Sequence, residues 1–258
     1  MRSLTGLIRG AVGTSAVYER ARTFADLHFY QKWHTVWPHL ARLPREGVRL
    51  LDAGCGGGHW SAEIALRRPG WVIVGVDRSE VEVERAEKRR DDLGLSNLSF
   101  ERADFADVAP VRPFDVVLSV CATHYEPTLA DTEQLFRRMR AWLAPTGRLL
   151  LLVPRCVGEA PFVNRLVRPR WHDLFSRDAL VRLCDTSDLT AELIAPRIGR
   201  IGTIAKQLDW TSGGAVAILA RGMAIVDTHV PPRSGRSLMW LLVARRRCRP
   251  RGTPALKP

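Results

Sequence analysis

The segment Leu51-Asp52-Ala53-Gly54-Cys55-Gly56-Gly57-Gly58-His59-Trp60 constrains this chain more than any other. It begins as the end of an apolar strand, VRLLD at 48–52. An acid follows, glycines recur at alternate positions, and a helical pattern starts at Trp60. Gly54 and Gly56 allow a tight turn with positive φ. Lacking side chains, they also let a ligand lie against the backbone at a strand's carboxyl end, where open α/β sheets bind their ligands. Two other glycine loops fit less well. A dinucleotide loop is spaced G-x-G-x-x-G, whereas this one is G-x-G-x-G with an acid two residues ahead. A phosphate loop needs G-x-x-x-x-G-K-[ST], which is absent.

The rest of the chain alternates in the same manner. Trp60–Arg68 reads as a helix stopped by Pro69–Gly70, and WVIVGVD (71–77) as a second strand. Ser79 with Glu82 three residues on is a capping-box signature for a helix that ends near Leu93–Gly94. LSFE (98–101) and FDVVLSV (114–120) read as strands. Leu135, Phe136, Met139, Trp142 and Leu143 form the buried stripe of a helix, and Pro145–Thr146–Gly147 turns the chain into RLLLLVP (148–154). Beyond Pro154, 176–184 reads as a helix, and 191–195 and 237–246 as strands. If those two strands pair, the apolar, glycine-containing stretch 196–232 is an insertion between them. Continuous Val/Leu strands separated by helices imply a parallel sheet covered on both faces.

Length and charge narrow the partners. At 258 residues the chain suits one large α/β domain or one with additions. No apolar run reaches the roughly 18 residues of a spanning helix. The net charge of +12 sits at the two ends. Residues 1–47 carry 7 basic against 3 acidic groups, residues 228–258 carry 8 against none, and the stretch between is balanced at 24 each. The five cysteines are scattered, without metal-ligand spacing, which argues for reduced thiols in the cytoplasm. The basic ends leave peripheral contact with an anionic membrane surface open.

The glycine segment resembles the first motif of class I S-adenosylmethionine-dependent methyltransferases, and four further features follow in the family's order. Val74-Gly75-Val76-Asp77 ends the second strand in an acid. Glu101-Arg102-Ala103-Asp104-Phe105 follows the third. Phe114-Asp115-Val116-Val117-Leu118-Ser119 matches the fourth, and Leu143-Ala144-Pro145-Thr146-Gly147 is similar to the family's Leu-x-Pro-Gly-Gly turn. The resemblance covers about 45–155. It implies a Rossmann-like α/β fold: a seven-stranded, mostly parallel sheet with helices on both faces and an antiparallel last strand. It implies S-adenosyl-L-methionine as cofactor, with Asp52, Gly54, Cys55, Gly56, Asp77, Arg78, Asp104, Phe105, Val120 and Tyr18 around it. In this family Asp77 would hold the ribose hydroxyls, Asp104 the adenine amino group, and Phe105 would lie beside the ring. Arg78 departs from the pattern, because its position is usually apolar. Tyr18 resembles the aromatic residue that many relatives supply from an N-terminal helix.

On that resemblance, a helical cap is expected over 1–44, the methyltransferase domain over 45–246, and a basic tail over 247–258. His124, just past the fourth strand, is the candidate base, since an oxygen acceptor that carries a proton can require one near the methyl group. Tyr125, Trp33, Trp37 and His172 are expected to contact the acceptor. The fourth-strand segment lacks the Asn/Asp-Pro-Pro-Tyr/Phe pattern of base methylation and the Pro-Cys pair of cytosine C5 enzymes, so a nucleic-acid acceptor loses ground. The leading expectation is therefore a methyltransferase acting on a small molecule, on oxygen. The alternatives are a lipid or lipid-linked saccharide at the membrane surface, RNA, and a non-catalytic subunit that binds the cofactor. The sequence leaves oligomeric state open.

Overall fold

The computed structural model describes residues 29, 31–123, 128–154, 175–198, 226 and 239–247. The chain divides into two compact units, Met1–Leu40 with Pro196–Met239, and Ala41–Ala195 with Trp240–Pro258.

Among the described residues the strands are β1 (Glu46–Ala53), β2 (Gly70–Asp77), β3 (Leu98–Arg102), β4 (Phe114–Val120), β5 (Leu143–Pro154), β6 (Leu189–Arg197) and β7 (Met239–Arg246). Four helices among those residues accompany them: α1 (His59–Arg67), α2 (Glu80–Asp92), α3 (Leu129–Trp142) and α4 (Arg177–Thr186). The strands form one sheet in the order β3-β2-β1-β4-β5-β7-β6, with β7 antiparallel, as the resemblance implies. β1 pairs in parallel with β2 on one side (Asp52 opposite Gly75) and with β4 on the other (Asp52 opposite Leu118). Strand order reverses between β1 and β4. In sheets of this kind a crevice opens at that reversal, outside the carboxyl ends of the strands.

Local chemistry explains the boundaries. The Ser79 hydroxyl accepts from the Glu82 amide at 3.4 Å and starts α2. Gly94, at φ +63°, lets the chain leave that helix. Leu135, Phe136, Met139 and Trp142 of α3 are buried against Val117, Leu149, Leu151 and Val153 of the sheet. The turn expected at Pro145–Gly147 lies inside β5 as a bulge. Phe114 is opposite Leu143, yet Val116 is opposite Arg148. A Cβ on Gly147 would come within 2.8 Å of the Phe114 carbonyl oxygen, so the extra residues pack tightly against β4.

The expected basic tail begins at Arg247, and the structure ties that residue down. Its amide donates to the Asp188 carbonyl at 2.8 Å and its guanidinium pairs with Asp185 at 2.5 Å. Residues 248–258 lie outside the described residues. In the first unit residues 31–40 are helical. There Phe29, Trp33 and Trp37 stack in succession, with ring centroids 5.6 and 4.9 Å apart. The insertion expected at about 196–232 lies almost wholly outside the described residues.

Candidate active site

The reversal point is built from the glycine segment. The amides of Gly54 and Cys55 both donate to the Val76 carbonyl, at 2.8 and 3.0 Å, so the loop is hung from the end of β2. Gly54, Gly56 and Gly58 have φ of +80°, +50° and +73°. Each has its own need for glycine. A Cβ on Gly54 would lie 2.2 Å from the Ala122 methyl, and one on Gly58 would lie 2.7 Å from Phe100 and 2.8 Å from Ala86. The missing Cβ of Gly56 faces open space instead, with its nearest neighbour, Glu82 Oε2, 4.0 Å away.

That open space belongs to a cavity of about 360 Å³, lined by Gly54, Gly56, Asp77, Arg78, Asp104 and Phe105, together with Ser79, Ala103, Cys121 and Ala122. A cavity of this size suits a small ligand. Its chemistry is divided. Asp77 and Asp104 are acceptors, Phe105 offers an aromatic face, and Gly54, Ala103 and Ala122 present little side chain. Asp77 Oδ2 accepts from the Gly56 amide and Oδ1 from the Ser79 amide, both at 2.9 Å. One carboxylate thus joins the loop to the first turn of α2, and its remaining lone pairs can still accept from a ligand. Asp104 Oδ1 accepts from the Ala106 amide at 2.9 Å. Phe105 is held by Trp142, 6.3 Å away between ring centroids, whose indole N–H donates to the Val108 carbonyl at 3.0 Å.

Asp52 and Cys55 are buried and are not among the residues lining the cavity. Asp52 is 1% exposed and accepts from the Ser61 hydroxyl at 2.6 Å. Burial pushes its carboxyl up from an ordinary 3.8 to about 6, with the Ser61 hydrogen bond opposing and the Asp77 charge adding to the rise. Asp52 therefore organises the start of α1 and is not among the groups lining the cavity. Burial likewise drives the Cys55 thiol far above its ordinary range, with Asp52 and Asp77 adding to it. That disfavours the thiolate a nucleophile would need. Val120 ends β4, half-buried, one residue before the lining begins. Trp33 and Trp37 belong to the first unit. Tyr18, His124, Tyr125 and His172 lie outside the described residues.

Four lining residues carry no sequence signal for that role. The pattern around Ser79 marks it only as a helix cap, and Ala103 is a plain alanine before Asp104. Cys121 and Ala122 follow Val120 directly. Cys121 has φ +57° and its amide donates to the Leu152 carbonyl at 2.8 Å, a backbone reversal without a compositional mark.

The fold and this loop define an open, doubly wound α/β protein with a ligand cavity at its topological reversal. A family model described as a methyltransferase domain matches residues 44–198, and the chain belongs to that family, the class I S-adenosylmethionine-dependent methyltransferases. Trans-aconitate 2-methyltransferase of Streptomyces avermitilis is 33% identical over 171 residues, which are 65% of this chain and 56% of that protein. Nocamycin O-methyltransferase of Saccharothrix syringae is 36% identical over 113 residues, 43% of this chain and 39% of that protein. The chain thus spans about half the length of such relatives or less. The crystal structure of geranyl diphosphate C-methyltransferase from Streptomyces coelicolor, in complex with S-adenosyl-L-homocysteine, covers 92% of this chain and 88% of its own. At a TM-score of 0.62 and 19% identity it shares the fold.

The cavity fits the family's cofactor. Two carboxylates, Asp77 and Asp104, line it as acceptors, the chemistry that the hydroxyl and amino donors of an adenosine call for. An aromatic ring lies where a base needs a flat neighbour, and at Gly56 a side chain would fill the space. Asp77→Ala is expected to weaken S-adenosylhomocysteine binding at least tenfold, or about 1.5 kcal/mol, the lower end for hydrogen bonds to a charged group. Titration calorimetry of both proteins checks this, and equal affinities would remove Asp77 from the site.

Proposed function

We propose that this protein transfers a methyl group from S-adenosylmethionine to an oxygen of a small-molecule acceptor. The observation that carries the reading is the cavity at the β1/β4 reversal, lined by Gly54, Gly56, Asp77, Asp104 and Phe105. When bound, the cofactor supplies a methyl group already activated by its sulfonium. The protein's own work is then to hold the adenosine and to bring the acceptor into line. Asp77 and Asp104 are the proposed acceptors for the ribose and adenine donors, with Phe105 against the ring. The assignment to oxygen rests on sequence and on the relatives, one of which is named as an O-methyltransferase.

His124 is the proposed base, four residues past the end of β4 in the chain. A neutral imidazole there would take the acceptor proton as the methyl group arrives, provided it lies within hydrogen-bond reach or one water of it. His124→Ala should keep cofactor affinity and lose from its pH–rate profile an ionisation near the ordinary histidine value of ~6.5. A variant that retains that ionisation removes His124 as the base.

The deciding experiment is transfer of labelled methyl from S-adenosylmethionine to a panel of small hydroxyl and carboxylate acceptors, run beside amine acceptors, vesicles and RNA. Label on the oxygen acceptors supports the proposal. Label confined to amines, vesicles or RNA would replace it, and tight cofactor binding without transfer to anything would favour a non-catalytic subunit.

A further inference from the structure

The glycine loop is held from a third direction that the family resemblance does not supply. Arg89 projects from the last turn of α2 and donates through Nη1 to the Gly57 carbonyl. Its other terminal nitrogen, Nη2, lies 2.9 Å from His59 Nε2, the first residue of α1. One guanidinium therefore bridges the loop and the helix that follows it. The surroundings are close-fitting: a Cβ on Gly57 would lie 3.2 Å from Glu82 Oε2, 3.6 Å from Arg89 Nη1 and 3.8 Å from Arg85 Cβ. Burial lowers the pKa of Arg89, and the Glu82 charge opposes that lowering. The fork is therefore partly withdrawn from water, where a charge-assisted hydrogen bond is stronger than at an open surface.

We propose that Arg89 is a positioning residue for the cofactor: it fixes the Gly56–Gly57–Gly58 backbone in its binding shape before the cofactor arrives. The inference rests on the reading of the loop as a cofactor cradle. Its physical basis is entropy. Three successive glycines are the most freely moving backbone a chain can have. Ordering them at the moment of binding would reduce affinity by the fraction of time the loop spends out of shape. The Asp77 carboxylate holds the loop at the Gly56 amide and Val76 holds it at Gly54 and Cys55. Arg89 acts two peptide groups further on, at the Gly57 carbonyl, and ties it to the start of α1. Lysine can replace this fork only in part, because an ammonium is a point donor without the planar fork that holds two acceptors in fixed geometry.

Two measurements on the full chain test the proposal, using Arg89→Met, which keeps the aliphatic stem, and Arg89→Lys, which keeps the charge. Without cofactor, amide exchange over residues 56–59 should accelerate in Arg89→Met, while exchange over β4 and the melting temperature stay at wild-type values. The dissociation constant for S-adenosylhomocysteine should rise roughly ten- to thirtyfold, as for loss of a hydrogen bond from a charged donor. Arg89→Lys should recover part of both effects. Unchanged affinity in both variants overturns the proposal whatever the exchange does. Faster exchange throughout, β4 included, also overturns it, since Arg89 would then merely support the fold. If Arg89→Met fails to fold, Arg89→Lys decides alone, by affinity against exchange in β4. Wild-type protein that does not bind S-adenosylhomocysteine removes the cofactor reading itself, and the positioning role falls with it even where Arg89 is seen to order the loop.

Discussion

Gly54→Ala is expected to lose about 2–5 kcal/mol of folding stability and all measurable cofactor binding. Two costs combine at this position. The backbone stands at φ +80°, where an L side chain is strained by roughly 1–2 kcal/mol. The added methyl would also overlap the Ala122 methyl at 2.2 Å, and forcing extra volume into a packed site costs typically about 1–3 kcal/mol. Neither neighbour can yield cheaply. Gly54 is hung from Val76 by its amide, and Ala122 follows Cys121, whose amide is tied to Leu152. Relief would push the two walls of the cavity apart, which is why binding should fail along with stability. Urea denaturation and calorimetry check both halves. A variant within about 0.5 kcal/mol of wild type, the spread of ordinary surface substitutions, would mean that the β1 and β4 loops are not in contact. Gly47 is the built-in control. It has φ +74° but nothing within 4 Å of an added Cβ, so Gly47→Ala should show the backbone cost alone.

Asp52→Asn should act in the opposite direction, raising stability at pH 8 by up to about 3 kcal/mol. Burial raises the Asp52 carboxyl from 3.8 to about 6, and every tenfold gain in proton affinity corresponds to about 1.4 kcal/mol. The sign follows from proton counting. Between pH 3.8 and 6 the folded protein binds this proton and the unfolded chain does not, so the contribution of Asp52 to stability falls as pH rises through that window. Above it the full penalty of a buried carboxylate is present. Asparagine carries no charge and can still accept from the Ser61 hydroxyl. The gain over wild type should therefore be largest above about pH 7 and shrink steadily as the solution is acidified towards about pH 4. Denaturation midpoints across that range test it. A gain that is constant with pH would show that Asp52 does not titrate there, and a loss at pH 8 would show that the ionised Ser61 contact outweighs its burial.

The elements that could be read from sequence were those whose burial repeats with a backbone period. FDVVLSV reads as a strand because both its faces are covered, and it spans Phe114–Val120 in the structure. The stripe Leu135, Phe136, Met139 and Trp142 is buried as the helical period requires. The Ser79–Glu82 cap was legible because its chemistry is local to four residues. At the site, Asp77, Arg78, Asp104 and Phe105 were legible through the family resemblance, as positions at or just past strand ends, and all four line the cavity. Partnerships across the chain left no such trace. Arg89 meets Gly57 over a separation of 32 residues, and in sequence it is one more charge in the run Arg85–Asp92. The left-handed turn at Cys121 is equally silent, since nothing about a cysteine announces positive φ. Asp52 was legible as an acid before a glycine turn, but its inward orientation towards Ser61 depends on where α1 packs.

The position of β7 has a consequence for how the protein is made. This strand, the last among the described residues, lies between β5 and β6 and is buried along Met239–Ala244. Synthesis proceeds from the amino end, and domains generally fold as units once their parts are available. While the ribosome is still adding residues up to 246, β5 lacks its neighbour on one side and β6 has no strand to join. The half of the sheet that carries the glycine loop, β3 to β5, can assemble during this interval. The other half closes only when the segment Met239–Arg246 clears the exit tunnel. A nascent chain stalled before Met239 would therefore offer the pairing edge of β5 to chaperones, or to another nascent chain.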